Sequence, residues 1–337
     1  MVQIRDGKRV WAIVLPVALS FFMYASVAWS QQAQKLALNM TWVFNAQHAA
    51  FFLGAEKGFF KGEGIDLEIL DGRGSRNNLQ LLSSGKIRIA LADSGTSAQF
   101  ITQGLAAKVV YVYFPKSPMS IVAHEDRNIR TPKDLEGKRI GRVPASSNTA
   151  LFPAVAKSNG LNLSKITFVN ATFATLASAF LKGEMDAVLL HFPDNVANLR
   201  AKGAKVNFIR YSDAGANTLG EGVTVSTPYL SENASMVRSL LRAISKSFLY
   251  TQNHRNEAIA ALQKAAPLTA KNLQAARETL DGYLTLLQTK KTEGKPLGWM
   301  AKADWQETIQ ILEKYAEMKN PLPAERYYTN DFVPALK

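Results

Sequence analysis

The stretch from Thr41 to Asp71 constrains the fold more than any other part of this chain. It follows a short apolar segment at 36–41 and reads TWVFNAQHAAFFLGAEKGFFKGEGIDLEILD. This pattern predicts a polar turn, a helix with apolar residues at helical spacing, Gly58 where a helix end favours a left-handed residue, and a second strand. In open α/β sheets, ligands bind beside turns that follow the carboxyl ends of strands. The stretch therefore predicts an α/β fold with a ligand site at its first turn.

Strands and helices continue to alternate through the middle of the chain. Short apolar runs bounded by turn residues predict strands near 36–41, 65–70, 88–92, 108–114, 138–143, 166–169, 186–190 and 206–210. Longer periodic segments in the last third predict helices near 233–252, 255–264, 269–288 and 302–318. Alternation of this kind favours mostly parallel sheets flanked by helices.

A repeated unit indicates that the chain forms two lobes. Residues 78–93 and 175–190 each read as an amphipathic helix, a corner with Gly and a buried strand. We place lobe one, which is discontinuous, at 35–120 plus 216–337, and lobe two at 121–215. The chain then crosses between the lobes twice, and a cleft between them is the expected ligand site.

Several motifs in a fixed order carry a family resemblance. The pattern W-x-x-N-x-x-H begins at Trp42, and a Gly-Ser loop follows at 74–75. The later pieces are LLSSGKIRIALAD at 81–93, TPKDLEGKRIGR at 131–142, AFLKGEMDAVLL at 179–190 and GEGVTVSTPYLSEN at 220–233. Together they resemble the periplasmic substrate-binding proteins of ABC importers, in the branch that binds nitrate, taurine, alkanesulfonates and thiamine-pyrimidine precursors. The resemblance implies a two-lobed, type II-like periplasmic-binding-protein fold and an ABC permease in the inner membrane as partner.

The first thirty residues predict export. Arg5, Lys8 and Arg9 form a basic start, the run to Ala28 is mostly apolar, and Ala28-Trp29-Ser30 offers small residues at a cleavage site. We therefore expect residues 1–30 to be a cleaved signal peptide and the mature protein to reside in the periplasm. An uncleaved signal anchor is the alternative, because the apolar run approaches membrane-spanning length.

Composition narrows the classes of partner. The chain has no cysteine, so neither disulfides nor a lipidated cysteine can occur. Its formal net charge is +13, which can favour acidic ligands or nucleic acid. No basic stripe interleaved with aromatic residues and no zinc-finger spacing is present, so we expect no nucleic-acid partner. We interpret the charge as a solubility feature and expect a monomer.

Three residues in the first turn are candidate ligand contacts. Trp42 offers a flat stacking face, although a tryptophan at this position can equally belong to the core. Asn45 and His48 can each donate and accept hydrogen bonds, which suits the edges of a heterocycle. Asn45 can also be the cap of the following helix. His48 has no second histidine or carboxylate near it in the sequence, so we expect no metal site.

Two further loops of lobe one add candidates. Gly74, Ser75 and Arg76 open a helix after the second strand, where free amides and the helix dipole favour an anion. Arg76 can alternatively be a solvated surface residue. Ser94 and Thr96 follow the third strand, and the resemblance implies that their loop contributes to the pocket; ordinary helix capping is the alternative.

Lobe two and the return segment supply the remaining candidates. Ser146, Ser147 and Asn148 follow a predicted strand, and we expect them to face the ligand from the opposite side. Phe192 ends another strand, where the resemblance implies an aromatic residue that faces the cleft, and Asp194 after it can be a helix cap or a ligand acceptor. Glu221 lies between two glycines on the return segment, and these glycines allow the unusual backbone angles that suit a hinge and a close approach to the ligand.

These patterns predict a binding protein and not an enzyme. No catalytic or metal-ligating constellation stands out, so we expect no catalytic residues, no metal and no cofactor. The turn at Trp42 favours a pyrimidine-like or other heteroaromatic ligand. An organic anion such as a sulfonate or an aromatic carboxylate remains open, because Arg76 and Arg142 are basic. A pyrimidine-precursor synthase is a weaker alternative because the chain has no cysteine, and a sensor for a membrane kinase is also open.

Overall fold

Ten β-strands form within the part of the chain that the structure describes. In this computed structural model, the described residues are 33–336 apart from 145, 268 and 270, and the side chains of 173 and 174 are also left out. The strands are β1 (Gln34–Asn39), β2 (Ile65–Leu70), β3 (Ile89–Asp93), β4 (Ala107–Val112), β5 (Met119–His124), β6 (Arg139–Arg142), β7 (Thr167–Asn170), β8 (Ala187–His191), β9 (Val206–Arg210) and β10 (Glu221–Ser226). The predicted signal peptide at 1–30 lies outside the described residues, so its cleavage stays a prediction.

Helices cover most of the connections between strands. In chain order they are α1 (Ala49–Glu56), α2 (Phe59–Gly62), α3 (Ser75–Ser83), α4 (Ser94–Thr102), α5 (Ser147–Ser158), α6 (Phe173–Leu181), α7 (Phe192–Ala201), α8 (Thr227–Glu232), α9 (Ala234–Asn253), α10 (Arg255–Ala265), α11 (Leu273–Leu284) and α12 (Lys302–Tyr315). In the described part of the chain, no helix is both long and apolar enough to cross a membrane.

The strands form three sheets, and the pairing agrees with the predicted fold class. β1 pairs with β2 in parallel, while β10 lies between β3 and β4 and is antiparallel to both. The third sheet has the order β7-β6-β8-β5-β9, in which β5 is antiparallel to β8 and β9 and the other pairs are parallel. β5 and β10 are the first strands after the two chain crossings. Each therefore runs against its neighbours, whereas the remaining strands of their sheets run in one direction.

The predicted strands all overlap observed ones, but β5 and β10 were not predicted as strands. The sheet of β5 to β9 uses residues 119–210 alone, and the other two sheets use residues on either side of that range. This division follows the proposed lobes closely, although the lobe boundaries themselves remain a prediction.

The glycines on the return segment allow close packing and not unusual backbone angles. A Cβ atom on Gly222 would lie 2.3 Å from the carbonyl oxygen of Tyr111, and one on Gly220 would lie 2.7 Å from that of Phe114. Neither glycine has the left-handed backbone that the described part of the chain shows at glycines elsewhere. The expectation of hinge-type angles beside Glu221 is therefore corrected, because these glycines are needed where β10 approaches its neighbouring chain.

A buried aromatic cluster supports the carboxyl ends of the strands. The Tyr113 ring stacks on Phe248 with centroids 5.2 Å apart, and the Phe114 ring stacks on Tyr283 at the same centroid distance. Phe51 packs edge-on against both Tyr113 and Phe248. Rings packed in this way are rigid, so the hydroxyl groups of Tyr113 and Tyr283 are held in fixed positions.

Helix α11 connects the two halves of the molecule. It packs along α7, which connects β8 and β9 of the five-stranded sheet, and also against the short 3-10 turn Ala46–His48 that follows β1. A Cβ atom on Gly282 would lie 3.0 Å from Pro193, so the glycine allows α11 to approach the start of α7 closely. This approach brings Tyr283 next to Asp194.

Candidate functional site

A cleft of about 780 Å³ opens where the carboxyl ends of several strands meet the starts of helices. Its lining includes residues at the ends of β3 and β8, the start of β10, and the first turns of α3, α4, α5 and α7. The volume is within the range of about 300–1,000 Å³ that is typical of small-molecule sites. Both halves of the sheet structure contribute side chains, as expected for a site between two lobes.

Most of the residues predicted from the sequence line this cleft. They are Trp42, Asn45, Gly74, Ser75, Arg76, Thr96, Ser146, Ser147, Asn148 and Glu221. Trp42 is 42% exposed and therefore is not a core residue. Direct contact of these residues with a ligand stays a prediction.

Three predicted residues lie elsewhere, each for a packing reason. His48 is only 1% exposed, and its Nδ1 accepts a hydrogen bond from the Asn45 amide at 3.4 Å, so it belongs to a helix cap. Ser94 is fully buried at the start of α4, where its amide donates to the Gly220 carbonyl. Phe192 is buried in a stack on Phe208. Their expected positions in the cleft are corrected accordingly.

Asn45 acts as a cap and lines the cleft at the same time. Its Oδ1 accepts a hydrogen bond from the Gln47 amide at 2.8 Å. This cap fixes the turn, and the Gln47 side chain then reaches both Thr41 Oγ1, at 3.2 Å, and Glu221 Oε2, at 2.5 Å. Both readings of Asn45 that the sequence left open are therefore compatible.

Glu221 is held by several hydrogen bonds on the floor of the cleft. It accepts from Gln47 Nε2 and, at 3.1 Å, from the Tyr113 hydroxyl. Burial raises the pKa of Glu221 to about 7, although these hydrogen bonds oppose the rise. The carboxyl group therefore changes its protonation near neutral pH.

Asp93 lies beside Glu221, since the two residues are partners in the β3–β10 ladder. Its Oδ1 accepts from the Thr96 amide at 2.8 Å and from the Thr96 hydroxyl at 3.0 Å, and so caps α4. The Asp93 amide donates to Ser75 Oγ at 2.9 Å. Burial raises the pKa of Asp93 as well.

Asp194 supplies a third carboxylate, from the helix that follows β8 of the five-stranded sheet. It lies in the first turn of α7 and accepts from the Tyr283 hydroxyl at 3.2 Å. Burial raises the pKa of Asp194 to about 6. His191, at the end of β8, also lines the cleft, and burial lowers its pKa to about 4, so that its ring is neutral at physiological pH.

Gln47, Asp93, His191 and Tyr283 were not among the predicted site residues, whereas Asp194 was expected as a helix cap or ligand acceptor. The position of Asp93 just after a buried strand was a usable signal, because carboxyl ends of strands in a sheet share an edge. Tyr283 gives no such signal, since it reaches the cleft only through the packing of α11 on α7.

The charge of the cleft is opposite to that of the whole chain. Among the described residues that line it, the permanent cation is Arg76, whereas the carboxyl groups are Asp93, Asp194, Glu221 and Glu317. The chain as a whole carries +13. Across the described residues, no group of three or more His, Cys, Asp or Glu side chains is placed to hold a metal ion. The site is therefore suited to a ligand with hydrogen-bond donors.

Comparison with known proteins gives consistent matches. Residues 45–258, more than half of the chain, match the family described as NMT1/THI5 like. The riboflavin-binding protein RibY of Chloroflexus aurantiacus is 25% identical over 307 residues, which cover 89% of this chain and 86% of that protein. The formylaminopyrimidine-binding protein of Halalkalibacterium halodurans is 22% identical over 296 residues, with coverage of 86% and 88%.

A solved structure supports the fold. The periplasmic aliphatic sulphonate binding protein SsuA from Escherichia coli aligns with a TM-score of 0.68 at 18% identity, covering 89% of this chain and 99% of that one. At this identity the likeness is evidence for the fold alone. The periplasmic-binding-protein architecture predicted from the sequence is thereby confirmed.

Proposed function

We propose, because this chain belongs to the NMT1/THI5-like family, that it is an extracytoplasmic solute-binding protein that delivers a small heteroaromatic ligand to an ABC permease. The ligand presents N–H donors to the floor of the cleft and one face to Trp42. The relatives of this chain include two binding proteins named for heteroaromatic compounds, riboflavin and formylaminopyrimidine. Export through the basic and apolar first thirty residues is part of the same proposal.

The observation that carries this proposal is the pairing of an exposed indole with buried carboxyl groups in one cleft. Trp42 offers a stacking face at the mouth, and its ring lies 3.8 Å from where a Cβ atom on Gly74 would be. Glu221, Asp93 and Asp194 offer acceptor oxygens below. A flat ring with amino or ring N–H groups satisfies both features, since it stacks on the indole and donates to the carboxylates.

A simple inorganic oxyanion fits these features poorly. It gains little from a stacking face, and it would lose water next to carboxyl groups of the same sign of charge. Another relative of this chain is named a putative aliphatic sulfonates-binding protein, so the cleft has to decide between a heteroaromatic ligand and an oxyanion. The acidic floor favours donors over oxyanions.

A thermal-shift screen followed by calorimetric titration tests the proposal. The panel contains 4-amino-2-methylpyrimidine, other aminated heterocycles, alkanesulfonates, nitrate and aromatic carboxylates. A bound ligand at a hundredfold excess over its dissociation constant stabilises by about 2.7 kcal/mol, which is readily measured. We expect the aminated heterocycles to stabilise the protein. Stabilisation by nitrate and alkanesulfonates alone would contradict the proposed ligand class.

A further inference from the structure

The cleft has a second chemical character that the carboxyl groups do not explain. Helix α3 starts at the cleft with Gly74 as its N-cap, so no side chain caps its first amides. Helix α5 starts on the opposite side, where Ser146 caps the Thr149 amide. The starts of both helices carry partial positive charge and unpaired N–H groups. These features favour an acceptor group on the ligand.

Asn148 gives an independent indication of a ligand at the start of α5. Its side chain is 6% exposed and lines the cleft, and its Oδ1 has no hydrogen-bond partner among the described residues. A buried side-chain oxygen without a partner costs free energy, so native proteins rarely leave one unpaired. A side-chain amide presents a donor or an acceptor after a 180° rotation of its last bond. A ligand group at this position would satisfy it.

Arg76 adds a full positive charge in the first turn of α3. Its guanidinium lies 5.8 Å from the centroid of the Phe100 ring. Within the described part of the chain, no carboxylate forms an ion pair with it. Asp93, Asp194 and Glu221 bond instead to Thr96, Tyr283 and Gln47. The cation is thus free to meet an anion that enters the cleft.

We propose that the ligand is amphoteric, with a donor-bearing ring over Trp42 and an acidic group held by Arg76, Asn148 and the starts of α3 and α5. The inference rests on the proposed function for the ring and extends it to a second group on the same molecule. The cleft volume of about 780 Å³ leaves room for more than one six-membered ring. An acidic group also explains why a cleft with several carboxyl groups retains an unpaired arginine.

The test compares two probes that differ only in the acidic group. Calorimetric titration measures 4-amino-2-methylpyrimidine and its 5-carboxylate against the wild-type protein. We expect the carboxylate to bind about tenfold more tightly, because a charge-assisted hydrogen bond is roughly twice as strong as a neutral one. The advantage should shrink between about 20 mM and about 300 mM salt, since Arg76 is solvent-exposed.

Each outcome bears on a different statement. If the uncharged probe binds at least as tightly as the carboxylate, the amphoteric ligand is refuted while the heteroaromatic one stands. If neither probe binds, the heteroaromatic ligand itself is refuted, and the acidic group with it.

Variants then locate the acidic group. In Arg76→Gln the ratio between the two affinities should fall to about one. Arg73 is an exposed arginine of the same loop that does not line the cleft, so Arg73→Gln is the control and should preserve the ratio. Asn148→Asp, which is nearly isosteric, should weaken the carboxylate more than its parent, because it adds a like charge. An unchanged ratio in Arg76→Gln would overturn the placement. Arg76 is exposed, so this variant is expected to fold even if Asn148→Asp does not.

Discussion

The two sides of the cleft differ in how fully their polar groups are already paired. Wall one, defined here as Trp42, Gln47, Asp93 and Glu221, is internally bonded, since Glu221 accepts from two side chains and Asp93 accepts twice from Thr96. Wall two, defined as Asn148, His191 and Asp194, is less completely paired. Asp194 accepts from Asn195 Nδ2 at 3.0 Å and from the Tyr283 hydroxyl at 3.2 Å, but Asn148 Oδ1 has no partner among the described residues.

This difference suggests an order of events in binding. A wall with fixed acceptors is preorganised, so a ligand that meets it loses little free energy to rearrangement. Polar groups without partners gain the most free energy when a ligand forms the missing hydrogen bonds. We therefore expect the ligand to bind wall one first and wall two to be satisfied as the lobes close, which is a common motion in two-lobed binding proteins.

The largest effect should come from removing the charge on wall one. Glu221→Gln replaces the acceptor that Gln47 and Tyr113 hold, and we expect affinity for 4-amino-2-methylpyrimidine to fall about a hundredfold, roughly 3 kcal/mol. Calorimetric titration measures the loss. Glu68→Gln, the same change at an exposed position of β2, is the control and should bind normally. Equal affinity in Glu221→Gln and wild type would remove Glu221 from the site.

Trp42→Ala should have the next largest effect. The substitution removes the stacking face, and the loss of one aromatic anchor typically costs about 2 kcal/mol or more, which is over tenfold in affinity. Because Trp42 is 42% exposed, the melting temperature should change little. A core tryptophan would give the reverse result, a lower melting temperature with normal affinity. The two measurements together decide between stacking and packing.

The first turn was predictable because its chemistry is local. The W-x-x-N-x-x-H spacing indicated a cap and a site within one turn, and the structure places Trp42 and Asn45 in the cleft lining. The same spacing misplaced His48, because three residues after a cap is also the position that bonds back to the cap amide. A local pattern cannot decide which of these two uses a side chain has.

The remaining site residues depend on contacts between distant parts of the chain. Gln47 and Glu221 are separated by 174 residues and Tyr283 and Asp194 by 89, and only the assembled fold brings each pair together. β5 and β10 were not predicted as strands, and their antiparallel pairing was missed with them. An apolar run predicts a buried strand but not its orientation, so the pairing would have stayed open even if both strands had been predicted.

The free energy of unfolding should depend on pH, because carboxyl groups on both walls have raised pKa values. Burial raises the pKa of Glu221 from 4.5 to about 7 and that of Asp194 from 3.8 to about 6. Without ligand, the folded protein retains these protons where the unfolded chain has lost them. Its free energy of unfolding should therefore decrease as pH rises from about 4 to about 7, and Asp93 contributes with the same sign.

A ligand that donates to an ionised Glu221 should show the opposite trend. Below the pKa of about 7, each pH unit lowers the ionised fraction nearly tenfold, so affinity should be about tenfold weaker at pH 6 than at pH 8. Titration at both pH values measures this ratio. Glu221→Gln shares any titration of the probe itself, so it is the control, and an equal ratio in both proteins would refute the role of Glu221.

The smallest effect should come from the hydrogen bond that holds Asp194 of wall two against α11. Tyr283→Phe removes the hydroxyl that donates to Asp194, and with it one of the contacts that fix α11 against α7. We expect the unfolding free energy to decrease by about 1 kcal/mol and ligand affinity to fall about threefold, because Asp194 is then less well oriented towards the cleft. Tyr111→Phe is a matched control, since it removes a buried tyrosine hydroxyl that bonds to Ser245 away from the cleft lining. It should cost a similar amount of stability and leave affinity unchanged. If both variants lose stability and neither loses affinity, the Tyr283–Asp194 bond only stabilises the fold, and wall two has to be positioned by the packing of α7 alone.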